Sequence, residues 1–96
     1  MTVYYVYILQ CSDKTYYTGV TSNLNQRLLE HSKGLHKGSY TYFRRPIQLV
    51  YYCEFTNIEI AIEKEKQIKK WSKVKKEALI NNQYELLPNL AKKKFD

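Results

Sequence analysis

Cysteine, proline, glycine and long apolar runs are all scarce in this sequence of 96 residues. Its two cysteines, Cys11 and Cys53, lie far apart and match neither a Cys-x-x-Cys nor a Cys/His spacing, so no zinc site is predicted. Two isolated thiols, buried or half-buried, suit a reducing cytoplasm. The apolar stretch 3–9 is too short to cross a membrane and follows no basic segment, which argues against a transmembrane helix and a signal peptide.

Acidic residues are also few: the sequence has nine of them and sixteen lysines and arginines, so the formal charge is +7. Each phosphate that is neutralised releases counterions, so this balance favours a nucleic acid as partner over an anionic membrane surface. A chain of this length forms one small domain, with little room for a large cofactor cradle. We expect a cytoplasmic protein that binds neither a membrane nor a small-molecule cofactor.

Three segments have the composition of strands. Residues 3–10 and 15–20 are rich in Tyr, Val, Ile and Thr, and the turn residues 12–14 between them predict a β-hairpin. A third strand, 48–55, is predicted after Pro46. Alternation places four side chains of the first segment on a single face: Val3, Tyr5, Tyr7 and Leu9.

Three helices are predicted from their end signals. The first spans 24–33, with an N-cap among residues 21–23 and a stop at Gly34. The second follows a capping box, Thr56-x-x-Glu59, and runs to about Lys70. The third spans 73–82 behind the N-cap Ser72. Together with the strands, they predict an α+β fold in which a three-stranded antiparallel sheet is flanked by helices, as one domain over 1–86 followed by a basic C-terminal tail, 87–96.

Glu65 lies in the middle of the apolar stripe of the second helix, whose other members are Ile58, Ala61, Ile62, Ile68 and Ser72. A carboxylate centred on a core-facing stripe needs a cation, a metal or a wet cavity. Two interpretations follow: a structural pair with Arg27 or a tyrosine, or a functional acid.

Arg27 and His31 are four residues apart on the first helix and share one face. We expect them at the rim of the core, beside a stripe of Leu24, Leu28 and Leu35. An isolated Arg–His pair is usually a solvated helix face. Tyr7 and Tyr17 are, taken singly, strand tyrosines that cover the sheet. If a tyrosine acts as a base near neutral pH, it needs a cation or a metal-bound water nearby to favour phenolate, because its ordinary pKa is about 10.

Two further sets of basic residues predict contact with nucleic acid. The segment 39–45, here called the aromatic–arginine loop, combines aromatic residues with arginines, as a base-stacking and phosphate-holding loop does. The residues selected from it are Tyr40, Tyr42, Arg44 and Arg45. Seven lysines lie between Lys64 and Lys76. They fit either a duplex-tracking face or a solvated helix surface with partners such as Glu63 and Glu77. The lysines selected for nucleic-acid binding are Lys69, Lys70 and Lys73.

Several short motifs in order resemble the GIY-YIG nuclease superfamily: Tyr5-Val6-Tyr7, Tyr17-Thr18-Gly19, Arg27-x-x-x-His31 and Glu65. The resemblance extends over residues 5–70 and is strongest to the small stand-alone bacterial group of YhbQ-like proteins. Four segments carry that closer likeness: Leu9 to Ser12, Tyr17 to Thr21, Arg44 to Pro46 and Lys66 to Trp71.

The resemblance implies hydrolysis of phosphodiester bonds with one divalent metal, Mg²⁺ or Mn²⁺, bound through Glu65. It also implies that Tyr7 or Tyr17 helps to activate the attacking water, that Arg27 holds the scissile phosphate and that His31 assists proton transfer. Which tyrosine is the base stays open.

The function expected from the whole sequence is a metal-dependent endonuclease acting on DNA, which can be structured or branched, in repair or recombination. RNA is not excluded as a substrate. The alternatives are a nucleic-acid-binding module of the same fold with little or no cleavage, and an interaction protein whose basic helices dock an acidic partner. An acid in a phosphate-binding cleft favours catalysis, because a pure binder would be weakened by it.

Overall fold

The computed structural model describes residues 1–81. A short 3-10 helix, Tyr42–Arg44, precedes the third strand. The α+β class, with a three-stranded antiparallel sheet flanked by helices, is confirmed, whereas the tail predicted at 87–96 lies outside the described residues. The strands and α-helices are β1 (Tyr4–Gln10), β2 (Tyr16–Thr21), α1 (Leu24–Lys33), β3 (Gln48–Phe55), α2 (Ile58–Lys69) and α3 (Lys73–Ile80).

The sheet has the order β2-β1-β3, so β1 is central and β2 is an edge strand. The predicted hairpin joins β1 to β2, and the backbone N–H of Cys11 donates to the carbonyl of Thr15 at 2.8 Å across its turn. In the antiparallel registers, Tyr7 lies opposite Gly19 on β2 and opposite Tyr52 on β3. Tyr7 is therefore at the centre of the sheet, next to the one residue of β2 that has no side chain.

One face of the sheet carries the main apolar core. Alternation directs Val6 and Ile8 to this face, where they pack against α2 and α3. The helices contribute four fully buried side chains: Ala61, Ile68, Ala78 and Leu79. The side chains of Tyr5, Tyr7 and Leu9 point to the other face, over which α1 lies. The sheet thus separates α1 from α2, which matters for the site below.

Helix α1 begins and ends where its end signals predict. The side chain of Asn23 accepts from the backbone N–H of Gln26 at 3.1 Å, and Gly34 ends the helix with a left-handed φ of 66°. The expected apolar stripe is wrong for Leu35, which is 59% exposed because it follows Gly34 and leaves the helical spacing. The one fully buried residue of α1 is His31.

The cap of α2 differs from the predicted capping box. Asn57, not Thr56, is the N-cap, and its side-chain oxygen accepts from the backbone N–H groups of Glu59 and Ile60 at 2.9 and 3.2 Å. The stripe is also narrower than expected, because Ile58 and Ile62 are exposed. Helix α3 has the predicted N-cap Ser72 but ends at Ile80 rather than at residue 82, which lies beyond the described part of the chain.

Because Asn57 satisfies two free N–H groups of α2, Asn57→Ala should lower the free energy of unfolding by about 1 kcal/mol. Thr56→Ala should have little effect, since the described structure gives its side chain no cap hydrogen bond. Urea unfolding of both variants checks this. A larger loss for Thr56→Ala would mean that the capping box forms after all.

No helix within residues 1–81 combines the length and the apolar character that crossing a membrane requires.

Candidate functional site

Three aromatic rings form a cluster on the α1 face of the sheet, here called the tyrosine–histidine cluster: Tyr7, Tyr17 and His31. The ring centroid of His31 is 5.2 Å from that of Tyr17 and 6.1 Å from that of Tyr7, and the tyrosine rings are 6.3 Å apart. The Tyr7 hydroxyl is 3.2 Å from Nε2 of His31. Two strands and a helix thus bring together three residues that the sequence selected.

A second hydrogen bond fixes the other side of the His31 ring. Nδ1 of His31 is 2.8 Å from Oγ1 of Thr41, which in turn is 3.3 Å from Oγ of Ser39. Thr41 is fully buried. If Nδ1–H donates to Thr41, the lone pair of Nε2 is free to accept the proton of the Tyr7 hydroxyl. Thr41 therefore links the aromatic–arginine loop to the cluster and orients the imidazole.

Arg27 lies at the edge of the cluster. Its guanidinium is near enough to the Tyr7 hydroxyl to favour the phenolate through charge and hydrogen bonding. Its Nε also pairs with Glu30 at 3.3 Å, and the side chain is 40% exposed. A guanidinium has five N–H donors, so one ion pair leaves others for a phosphate. Arg27 is the cation of the site that remains accessible to solvent.

Burial controls the acidity of Tyr7. The residue has no exposed surface, and desolvation together with the nearby Tyr17 raises the pKa of Tyr7 to about 12 in spite of the opposing effect of Arg27. Tyr7 is therefore a neutral phenol near pH 7. Tyr17 is only half-buried. Of the two tyrosines, Tyr17 is the one that a water molecule can approach.

His31 corrects one expectation from the sequence, which placed it at the rim of the core. Only 6% of His31 is exposed, because α1 packs it between the two strand tyrosines and Thr41. Burial, and secondarily the charges of Arg27 and His36, lower the pKa of His31, while Glu30 acts in the opposite direction. The imidazole is consequently neutral near pH 7 and can accept a proton.

This burial predicts a pH dependence of stability. The unfolded chain, with an ordinary histidine pKa near 6.5, binds the proton more readily than the folded one, so protonation favours unfolding. The stability that is present above the unfolded-state pKa is lost as the pH falls through the lower pKa of His31 in the folded state. The urea midpoint of the wild type should fall between pH values of about 7.5 and 5.5, and that of His31→Gln should fall less. A pH dependence unchanged in His31→Gln would contradict the prediction.

Glu65 occupies the position on α2 that the sequence predicts, between the buried residues Ala61 and Ile68. Its side chain is 12% exposed, and Oε2 lies 3.5 Å from Nζ of Lys69. The structural alternative, a pair with Arg27, is wrong: within the described residues Arg27 pairs with Glu30 instead. Because α2 packs against the opposite face of the sheet from α1, Glu65 is separated from the tyrosine–histidine cluster.

The edge strand β2 connects these two groups. Tyr17 contacts His31 of α1, and the same strand packs against α2 through its other face. Alternating side chains of β2 thus point either toward α1 or toward α2. The described contacts join four of the five predicted catalytic residues, whereas Glu65 is carried by α2, which packs against the other face of the sheet.

Glu65 is the one metal ligand that the sequence proposes. Across residues 1–81, histidine, cysteine, aspartate and glutamate form no group of three or more that would hold a metal ion. A single recessed carboxylate fits Mg²⁺, which keeps several waters and takes one or two protein carboxylates. It does not suit zinc, which needs three or four protein ligands. Lys69 is a competing cation that a metal on Glu65 would have to displace.

The aromatic–arginine loop is held rigidly beside the cluster. The Tyr40 ring stacks on Tyr17, with centroids 6.1 Å apart and planes at 24°. The guanidinium carbon of Arg44 is 3.9 Å from the Tyr40 ring centroid, and Nη1 of Arg44 donates to the carbonyl of Tyr40 at 2.8 Å. Arg44 also pairs with Asp13 of the hairpin turn at 3.2 Å. The loop is thereby anchored at both the site and the turn.

The predicted lysine face is partly engaged within the protein. Lys69 pairs with Glu65, and Nζ of Lys73 lies 6.0 Å from the ring centroid of Tyr16. Lys70, the C-cap of α2, is exposed like the other two. Glu77, offered above as a lysine partner, instead accepts a hydrogen bond from the Tyr16 hydroxyl at 3.1 Å. These three lysines remain candidates for phosphate contacts.

Sequence reasoning missed two residues of this region. Thr41 has no distinguishing signal, because its role depends on a contact with a residue ten positions away. Phe43 has one, an aromatic residue directly before two arginines, but the tyrosines of the same segment were selected instead. The two cysteines agree with expectation, since Cys11 is buried and Cys53 half-buried as free thiols.

Comparison with known proteins finds a family model and relatives that match most of this chain. A family model described as the GIY-YIG catalytic domain matches residues 3–78. A UPF0213 protein of Syntrophus aciditrophicus is 46% identical over 80 residues, which cover 83% of this chain and 92% of that protein. A UPF0213 protein of Staphylococcus saprophyticus is 38% identical over 81 residues, which cover 84% and 98%.

Solved structures resemble the chain over nearly its whole length. The solution NMR structure of a UPF0213 protein from Bacillus halodurans is 36% identical, has a TM-score of 0.55 and is matched over 98% of this chain and 99% of that one. A solution structure of a protein from E. faecalis, at 24% identity and a TM-score of 0.54, supports the fold alone.

Proposed function

This chain belongs to the GIY-YIG family of nuclease domains, and we propose that it is a metal-dependent endonuclease that hydrolyses phosphodiester bonds of DNA. The observation that carries the proposal is the tyrosine–histidine cluster with an accessible guanidinium at its edge. A neutral imidazole, two phenols and an arginine can orient water and hold a phosphate.

Tyr17 is the proposed contact for the attacking water, because it is half-buried and touches both other rings of the cluster. Tyr7 is fully buried and has a pKa of about 12, so its role is to position His31 and to donate its proton toward Nε2. Arg27 binds the scissile phosphate through the N–H groups that Glu30 leaves free. Thr41 keeps the imidazole in the tautomer that accepts a proton.

Glu65 is the proposed ligand of Mg²⁺ or Mn²⁺. Such an ion, when bound, stabilises negative charge on the phosphate and on the leaving oxygen. The half-buried carboxylate on α2 supports this assignment. In this proposal the phosphate backbone lies along β2, the edge strand that contacts α2 and, through Tyr17, His31 of α1. Lys69 neutralises the carboxylate until a metal binds, which lowers the cost of its partial burial.

The basic surface supports a nucleic acid as substrate. Arg44 and Arg45 of the loop, with the exposed lysines of α2 and α3, are the proposed phosphate contacts. Structured or branched DNA, a role in repair or recombination and a cytoplasmic location are parts of the same proposal. RNA is the competing substrate.

A specific contact favours a second candidate, a binding module that cleaves poorly. The ion pair between Glu65 and Lys69 at 3.5 Å balances the charge of Glu65, as the pair with Arg27 does for Glu30 near the proposed phosphate path. A pure binder would benefit from that arrangement, because an unpaired carboxylate repels phosphate.

Incubation of the purified protein with plasmid DNA, single-stranded DNA and structured RNA tests the proposal, with Mg²⁺, with Mn²⁺ and with EDTA. We expect DNA cleavage that needs the metal. Salt-sensitive binding without cleavage would favour the binding module. Cleavage of RNA alone would refute the DNA substrate, and the absence of binding at low salt would leave an acidic protein partner.

A further inference from the structure

The aromatic ring that is free in the aromatic–arginine loop is that of Phe43. It is 88% exposed, more than any other aromatic residue in the described part of the chain. It follows Tyr42 in the short 3-10 helix and meets the Tyr42 ring edge to face, with centroids 4.7 Å apart. Because 88% of Phe43 is exposed in spite of this contact, most of its ring surface is available to a ligand.

The tyrosines of the loop are, in contrast, already engaged. Tyr40 stacks with Tyr17 and lies under the guanidinium of Arg44. Tyr42 lies under the guanidinium of Arg45 at 4.8 Å and also contacts Phe43. A base that stacked on either ring would compete with a cation–π contact and, at Tyr40, with an aromatic stack. The sequence-based choice of Tyr40 and Tyr42 as base-stacking residues is thus not the one that the geometry favours.

The backbone beneath Phe43 is held in place from two sides. Nη1 of Arg44 and Nε of Arg45 donate to the carbonyls of Tyr40 and Tyr42 at 2.8 and 2.9 Å. The carbonyl of Arg44 accepts from the backbone N–H of Ser12 at 2.9 Å. A rigid aromatic residue loses little conformational entropy when it binds, which makes it an effective anchor.

The charge around Phe43 indicates which ligand fits. The next two residues are arginines, and after their internal hydrogen bonds each keeps N–H donors for phosphate oxygens. An exposed π-face beside guanidinium groups matches a nucleobase on its phosphate backbone better than an apolar protein surface, which would leave the arginines desolvated.

We infer that Phe43 stacks on an unpaired DNA base, and that the substrate of this protein is DNA with a single-stranded segment next to the scissile phosphate. The inference rests on the proposed function and specifies its substrate class. In an intact duplex each base is covered by its neighbours, so a stacking side chain meets a free base face only at tails, flaps, bulges or gaps. Thr41, two residues before Phe43, hydrogen-bonds to His31, so the loop that carries Phe43 is attached to the tyrosine–histidine cluster.

The test measures binding of the full chain in EDTA, where no cleavage occurs. One probe is a blunt DNA duplex, and the other is the same duplex with a short single-stranded tail that carries 2-aminopurine. Phe43→Ala should weaken binding to the tailed DNA by about five- to tenfold and change binding to the blunt duplex by less than about twofold. Quenching of 2-aminopurine by the wild type should disappear in the variant.

Two substitutions and one control separate stacking from other effects. Phe43→Trp should restore affinity and quenching, whereas Phe43→Leu, which keeps an apolar side chain without a π-face, should not. Leu35→Ala, at another exposed apolar position, should behave as the wild type. Full rescue by leucine, or an equal loss on both DNAs, would overturn the inference.

The experiments distinguish a failure of the Phe43 inference from a failure of the nuclease proposal. If the wild type cleaves DNA with metal but binds blunt and tailed duplexes equally, the inference about Phe43 is wrong and the nuclease proposal stands. If the wild type neither binds nor cleaves either DNA, both are wrong.

Discussion

Replacing Glu65 by glutamine is expected to reduce metal-dependent DNA cleavage at least about a hundredfold. The substitution keeps the size of the side chain and removes the charge that Mg²⁺ requires from its one protein carboxylate. Because residues 1–81 contain no cluster of three or more metal-binding side chains that could hold the ion without Glu65, the loss should be nearly complete. A rate measurement on plasmid DNA at saturating metal checks this.

Glu63→Gln is the matched control, since it removes the same charge from the same helix at an exposed position. It should cleave at close to the wild-type rate. Mn²⁺ binding without DNA, followed by electron paramagnetic resonance, provides a readout besides activity and should weaken only in Glu65→Gln. If Glu65→Gln cleaves normally, the carboxylate serves only its ion pair with Lys69, and the metal assignment is wrong.

Gly19→Ala is expected to be the most damaging small substitution in the sheet. A Cβ at this position would lie 2.5 Å from Oη and 2.6 Å from Cζ of Tyr7. Neither partner can move easily, because Gly19 is in the β1–β2 ladder and the Tyr7 hydroxyl is bonded to His31. We expect a loss of about 1–3 kcal/mol in the free energy of unfolding and at least about a tenfold loss of cleavage, because a small displacement of the ring breaks its alignment with His31.

Gly38→Ala provides the control, because a Cβ there would meet nothing within 4 Å. A double-mutant cycle then identifies the clash. Leucine lacks the Oη, Cζ and Cε1 atoms of Tyr7 that the new methyl group would meet, so Gly19→Ala should cost much less stability in a Tyr7→Leu background. An equal cost in both backgrounds would show that the backbone, and not the Tyr7 ring, excludes alanine at position 19.

The importance of Glu65 can be predicted from the sequence alone, whereas the reason for Gly19 cannot. Glu65 is recognisable as an acid in the middle of an apolar helical stripe, and its recessed position confirms that reasoning. Gly19 is recognisable only as the end of a motif. The reason for it, the ring of Tyr7 lying over its α-carbon, depends on the register between β1 and β2. The same contrast applies to His31, which helical spacing pairs with Arg27 but cannot place in the interior.

Interactions between residues close in sequence determined the helices and strands of this protein and most of their ends. Asn23, Gly34 and Ser72 act through neighbours three or four residues away, and strand alternation acts over two, so these features can be read directly from the chain. The excess of positive charge is equally a property of composition. Where two local caps competed, at Thr56 and Asn57, the backbone geometry decided between them.

Only the tertiary structure decided how the candidate site is assembled. The hydrogen bond between Tyr7 and His31 joins residues 24 positions apart, and it depends on how α1 packs across the sheet. The same packing buries Thr41 and leaves Phe43 as the most exposed aromatic residue within residues 1–81. Such contacts arise from the way whole faces pack against one another, which no spacing within a single segment contains.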